Sequence, residues 1–162
     1  MKRNTLAAAI AAATLTLAVL HFSGGRQAWA DDPQATVDAR RALMKEIGGN
    51  MKAIADALDA KSTDTAAMAQ HAETIQADAA KVPDLFPAGT SADEMPGKTH
   101  AKADIWQNMD TFKADAATLG SEAGKLADAA KSGDTAAVAA ALESTGKNAC
   151  GTCHKQFRLP LQ

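Results

Sequence analysis

The chain has 162 residues, a formal net charge of −2, 46% hydrophobic residues, 4% aromatic residues and no Tyr. That length makes one ordinary domain behind any leader, and the mildly acidic balance gives no reason to expect a nucleic-acid or anionic-membrane partner. Alanine dominates, with Leu, Lys, Asp and Glu, a mixture that favours helix over sheet.

Residues 1–30 read as a leader. Lys2 and Arg3 precede an apolar run from Leu6 to Leu20, and Ala28-Trp29-Ala30 puts small residues where a signal peptidase reads them. The pattern is that of a secretory signal peptide cleaved after Ala30. A membrane anchor is the alternative; the run is short for a span, and a cleavage site follows it. Cleavage removes Lys2, Arg3 and Arg26 and no acidic residue, so the mature chain, residues 31–162, carries −5. It is expected in the periplasm, free of the membrane.

Four helical stretches follow. The first spans about Gln34 to Ala60, with Val37, Arg40, Met44, Ile47, Met51, Ile54 and Leu58 in steps of three and four, as in a bundle seam. The second spans about Asp64 to Lys81, with Met68, Ile75, Ala79 and Val82 as a thinner stripe and Thr63 or Asp64 as N-cap. From Val82 to Lys98, Pro83, Pro87, Gly89, Pro96 and Gly97 interrupt helix. Leu85 and Phe86 are apolar anchors inside this loop, which either folds back over one end of the bundle or crosses exposed to solvent. The third helix is expected from Thr99 to about Lys131, with Ile105, Met109, Phe112, Ala116, Leu119, Ala123, Leu126 and Ala130 on one side and Trp106 beside them. Ser132-Gly133-Asp134 ends it and caps the fourth, which is expected from Asp134 to Phe157 and is stopped by Pro160. Short links between amphipathic helices predict an all-α, antiparallel, up-down-up-down four-helix bundle.

The fourth helix ends in Cys150-Gly151-Thr152-Cys153-His154. This C-x-x-C-H spacing lets two thiols form thioethers to the vinyl groups of one porphyrin while the adjacent histidine binds its iron. On a helix Cys150 and His154 share a face, with Cys153 beside them. A redox pair or disulfide is the competing reading. An exported chain, in a compartment where an unused pair would oxidise, and an alanine-rich core that leaves volume for a bulky apolar group both favour haem. Arg40 interrupts the first apolar stripe. It either meets a haem propionate through a forked, charge-assisted bond or snorkels to solvent. His71 and His100 have no second ligand spaced to complete a metal site and read as structural, and Met51, Met68 and Met109 read as core filling rather than haem ligands. No Ser-His-Asp set, carboxylate pair or phosphate-binding glycine loop stands out, and no enzymatic activity is expected.

Taken together, these residues resemble the class II c-type cytochromes, the cytochrome c′ and c556 group. The motifs that carry the likeness are Arg40-Arg41-Ala42-Leu43-Met44-Lys45, Leu85-Phe86-Pro87 with Gly89-Thr90, Ala103-Asp104-Ile105-Trp106 with Phe112, and Cys150 to His154 followed by Phe157-Arg158. A haem motif at the extreme C-terminus is specific to this class. The resemblance implies one covalent haem c on Cys150 and Cys153, His154 as proximal ligand and Met44 at the distal position. It further implies Arg40 at a propionate, with Arg41, Thr99 and Arg158 near the haem edge. An aromatic residue, found at position 44 in many relatives, is missing here. Two functions follow from the class: a periplasmic electron carrier serving other redox proteins, or a five-coordinate binder of nitric oxide or carbon monoxide. Homodimers through the first two helices are common in the class. Whether Met44 closes the sixth iron position separates the two functions.

Overall fold

The structure, a computed structural model, describes residues 32–160. The expected signal peptide lies outside the described residues. Helix α1 spans Pro33–Asp59. Asp32 caps it by accepting from the backbone N–H groups of Gln34 and Ala35, and Pro33 occupies the first turn, where no amide donor is needed. Lys61, in the left-handed region at φ 54°, turns the chain into α2, Thr65–Ala79, which Asp64 caps through the Ala67 amide. A 3₁₀ turn at Pro83–Leu85 begins the long loop. The one-turn helix α3, Asp104–Gln107, and the long α4, Met109–Lys131, follow. Gly133, at φ 78°, and the Asp134 cap then start α5, Thr135–Ser144. The rod continues through a π-helical stretch, Thr145–Gly151, into α6, Thr152–Phe157.

These elements make four rods, α1, α2, α4 and α5–α6, with α2 packed most extensively on α4. The expected bundle is present, and among the described residues the only sheet-like pairing is an isolated bridge. Ile54, Met68, Ile75, Leu126 and Val138 are fully buried, interleaved with Ala72, Ala79, Ala123 and Ala130. Small residues let α2 and α4 approach closely: a Cβ at Gly124 would lie 2.9 Å from Gln76 Nε2.

The third rod begins later than Thr99. Residues 99–102 turn sideways to the chain's C-terminus. The Lys102 N–H donates to the Phe157 carbonyl (3.0 Å), the Leu159 N–H donates to the His100 carbonyl (2.8 Å), and Ala101 bridges Arg158. Backbone committed to that pairing is not available to a helix. Asn108, at φ −130°, then separates α3 from α4.

The loop folds back over the bundle end and is not an exposed crossover. Phe86 is buried and packs edge-on against Phe112 (4.6 Å), which packs against Phe157 (5.4 Å). Trp106 Nε1 donates to the Phe86 carbonyl at 3.1 Å. Such aromatic pairs add about 0.5–1.5 kcal/mol each beyond their buried area.

Candidate functional site

Beneath this loop the rods do not meet. A cavity of about 570 Å³ opens between α1, the loop and α6, lined by Met44, Ile105, Phe112 and Phe157 inside and by Arg41, His100 and Arg158 towards its mouth. A second, of about 300 Å³, runs deeper among Ile47, Met51, Val82, Leu119 and Ala149. Met44, Gly48, Cys153 and His154 line both. The two voids therefore share walls, polar at one end and apolar at the other.

Met44 reaches this place because α1 sets it one turn after Arg40 and one before Gly48. Gly48, in mid-helix, forgoes about 1 kcal/mol of helix propensity relative to Ala. A Cβ there would meet nothing within 4 Å, so the position leaves the shared wall open. Its role escaped the sequence reading, although an interior Gly48-Gly49 pair in a helix is a visible signal.

The C-x-x-C-H segment straddles the change from π- to α-helix. Cys150 falls in the π stretch and Cys153 and His154 in α6, and Thr152 Oγ1 donates to the Lys147 carbonyl across the wide turn (3.3 Å). A π turn at such a place is a common mark of a functional site. Cys150 thereby lines the deeper cavity, while Cys153 and His154 face both. Both thiols are free and half-buried. Burial pushes the Cys150 thiol up; it pushes that of Cys153 up to about 12, aided by the Asp115 carboxylate beside it. Burial, then Arg158, holds the His154 imidazole below its ordinary value, hence neutral and able to donate a lone pair at neutral pH.

Arg40 is buried, at 5% exposure, so it does not snorkel. Nε and Nη2 donate to the Leu85 carbonyl (3.0 and 2.9 Å), Nη1 to the Thr90 carbonyl and Thr99 Oγ1 (both 3.2 Å), and Nη2 to Thr90 Oγ1 (2.6 Å). Its guanidinium also lies 3.9 Å over the Phe86 ring. Five donors thus hold five neutral acceptor contacts, and no carboxylate among the described residues neutralises the charge. Burial and Arg41 push this guanidinium down to about 10. Asp78, buried on α2, pairs with Lys81 at 2.7 Å. Thr99 is buried on the cavity wall. Arg41 is half-exposed, bonded to the Lys98 carbonyl and paired with Asp38 at 3.4 Å.

Asp115 is a further residue that sequence reasoning missed. It lines the deeper cavity, and its Oδ2 is buried with no hydrogen-bond partner. Among the other candidates, His71 Nδ1 lies 2.8 Å from Asn50 Oδ1, and Met68 is core, as expected. His100 and Met51, read as structural, line the first and second cavities respectively.

A porphyrin fits this donor set. Its apolar body matches the inner walls, its carboxylates match an uncompensated buried cation at the polar end, and its vinyl groups match two free thiols at the other. The described residues contain no cluster of three His, Cys, Asp or Glu side chains that would hold a metal by themselves, so an iron here would arrive within its macrocycle. Bundle and crevice together define a haem protein of the c type built on four helices, an architecture of which cytochrome c′ is a standing example.

Comparisons agree. The sequence profile of the Cytochrome C' family matches residues 35–158. Cytochrome c′ of Pararhodospirillum photometricum is 40% identical over 126 residues, 78% of this chain and 98% of that protein. Cytochrome c-556 of Agrobacterium fabrum is 36% identical over 160 residues, covering 98% and 97%. The crystal structure of cytochrome c′ from Thermochromatium tepidum superposes with a TM-score of 0.71 at 28% identity, covering 80% of this chain and 98% of that one. The chain belongs to the cytochrome c′ family of class II c-type cytochromes, proteins of the haem electron-carrier type.

Proposed function

We propose that the mature chain, residues 31–162, is a periplasmic one-electron carrier holding one haem c through thioethers to Cys150 and Cys153. When bound, the haem supplies an iron that alternates between ferrous and ferric states. His154, kept neutral by its burial, serves as the proximal ligand. Met44 serves as the distal ligand; a thioether is soft and neutral and favours the ferrous state. The observation that carries this reading is that Met44 from α1 and His154 from α6 line the same two cavities. Arg40 attracts a propionate by its uncompensated charge, because its N–H groups already hold loop oxygens. Arg41, Thr99 and Arg158 complete the polar end.

The half-buried state of Met44 and the volume beside it favour one second reading. If Met44 stays off the iron, the site is five-coordinate and admits nitric oxide or carbon monoxide. Ferric and ferrous spectra of the native protein and Met44→Ala decide. Ligation predicts a low-spin native spectrum with a weak far-red band that the variant loses, together with carbon monoxide binding gained by the reduced variant. A native protein that is already high-spin and binds carbon monoxide readily would overturn the six-coordinate reading.

A further inference from the structure

The glycines of the long helices differ in what they make room for. Gly120 and Gly124 serve the close approach of α4 to α2: a Cβ at Gly124 would lie 2.9 Å from Gln76 Nε2, and one at Gly120 would lie 3.6 Å from Ala79 Cβ. Gly48 has no such neighbour, since a Cβ there would meet nothing within 4 Å. Nor does its backbone need glycine, because it lacks the positive φ that Gly89, Gly97 and Gly133 adopt. In mid-helix, an ordinary side chain would hold α1 better. The setting is nevertheless specific. Met44, Ile47, Gly48 and Met51 stand at i, i+3, i+4 and i+7 on α1, the spacing of one helix face, and all four line the deeper cavity. Met44 and Gly48 line the larger one as well, together with Cys153 and His154. Three positions of that face carry long apolar side chains, and the one between the two methionines carries none. Gly49, the next residue, is exposed, lines neither cavity and has the same open space about it.

We propose that Gly48 is the specificity-determining position of the crevice: α1 rests its bare backbone on the haem macrocycle there, and the closeness of that approach governs what reaches the distal side of the iron. This rests on the haem attachment proposed above. Glycine is the residue that lets a backbone approach a flat ligand with no side chain between them. Met44 and Gly48 are four residues apart, about 6 Å along the helix axis, so a macrocycle centred between Met44 and His154 extends over Gly48. With position 48 bare, the Met44 thioether needs only its own length to reach the iron. A side chain at 48 would stand between ring and helix and hold the thioether off.

Adjacent glycines on two sides of one helix supply the test. Gly48→Ala and Gly48→Leu are compared with Gly49→Ala and Gly49→Leu. Helix propensity favours the replacements equally at both positions, by about fivefold in the folding equilibrium for Ala. In a haem-free Cys150→Ser, Cys153→Ser background, far-UV circular dichroism should show the same gain in helicity at 48 and at 49, because neither new side chain meets the chain. In the holoprotein the Gly49 variants should keep that gain in denaturant titrations. Gly48→Leu should lose it and unfold at a lower midpoint than the native protein, with Gly48→Ala between. The ferric spectrum of Gly48→Leu should lose the weak far-red band of thioether ligation and its reduced form should gain carbon monoxide binding, with Met44 still in place; Gly49→Leu should keep the native spectrum. In a native protein that is five-coordinate, the six-coordinate reading fails and the contact is decided by carbon monoxide affinity, which should fall about tenfold or more in Gly48→Leu and stay unchanged in Gly49→Leu. Equal holoprotein midpoints at 48 and 49, with equal spectra and equal carbon monoxide affinity, overturn the proposal. So does a loss of stability in Gly48→Leu that is the same with and without haem, since that assigns the position to packing within the chain. Mass spectrometry of the native protein separates the two levels: covalent haem with indistinguishable glycine variants defeats the Gly48 contact alone, whereas freely extractable haem defeats the attachment beneath it.

Discussion

The two ends of the bundle are built on different terms. At the far end, Ile54, Met68, Ile75, Leu126 and Val138 are fully buried, α2 meets α4 closely, and Asp64 and Asp134 cap the incoming helices. At the crevice end the walls carry thiols, a bare Gly48, a carboxylate oxygen without a partner and a cation without an anion. The far end is complete in itself. The crevice end leaves these groups to the proposed haem, whose binding would add to its stability.

The strongest way to break this contrast is to remove the attachment. In a Cys150→Ser, Cys153→Ser protein, amide hydrogen exchange should keep protection in α2, in the C-terminal half of α4 and in α5. Protection should be lost across residues 83–103 and 145–158. Uniform protection, or uniform loss, would mean the ends are not separable. The reciprocal experiment places the damage in the far core. Leu126→Ala in the holoprotein should lower unfolding free energy by about 2–5 kcal/mol in denaturant titrations while leaving the haem spectrum unchanged.

The contrast also marks what could be read from the sequence. The far end was legible, because apolar side chains at helical spacing bury themselves whatever else happens, and Ile54, Met68, Ile75 and Leu126 are all core. Residues of the crevice end were legible only through the haem motif and the likeness it opened. The spacing of Ile105, Met109 and Phe112 suggested an unbroken helix from Thr99, because nothing local announces that residues 99–102 pair with residues 157–159, over fifty positions away. The π turn was equally hidden, since Val138, Leu142, Thr145 and Ala149 stand at ordinary α-helical spacing and announce no wider turn. Asp115 went unnoticed because it is an ordinary polar residue in an amphipathic helix until a cavity is found beside it.

Two smaller effects sharpen the picture at the crevice. Arg40 is cationic at every pH below about 10. Replacing it by Gln removes a positive charge from beside the proposed propionate and so raises that carboxylate's pKa. Ionisation of the carboxylate stabilises ferric iron, so the fall in reduction potential with rising pH should move to higher pH in Arg40→Gln, as read by titrations between about pH 4 and 9. An unmoved profile would leave Arg40 as a clamp on the loop and nothing more. Asp115→Asn should raise the potential, since a buried negative charge near the iron favours the ferric state. A shift on the order of 1 kcal/mol, or several-fold in the ferrous-to-ferric ratio at fixed applied potential, is expected in spectroelectrochemistry. No shift would mean that Asp115 is not electrostatically coupled to the iron.

The bridge between Ala101 and Arg158 bears on how the protein is assembled. Arg40 grips the loop near one end of the chain, and the same loop grips the other end through Lys102, His100 and Ala101. Contacts across such sequence distances carry more closure entropy than the turns joining neighbouring helices, and they form after the local helical pairs. The wall that encloses the crevice therefore settles later than the α1–α2 and α4–α5 pairs. Until it does, Cys150 and Cys153 stand on an open helix end, where the proposed haem would reach them.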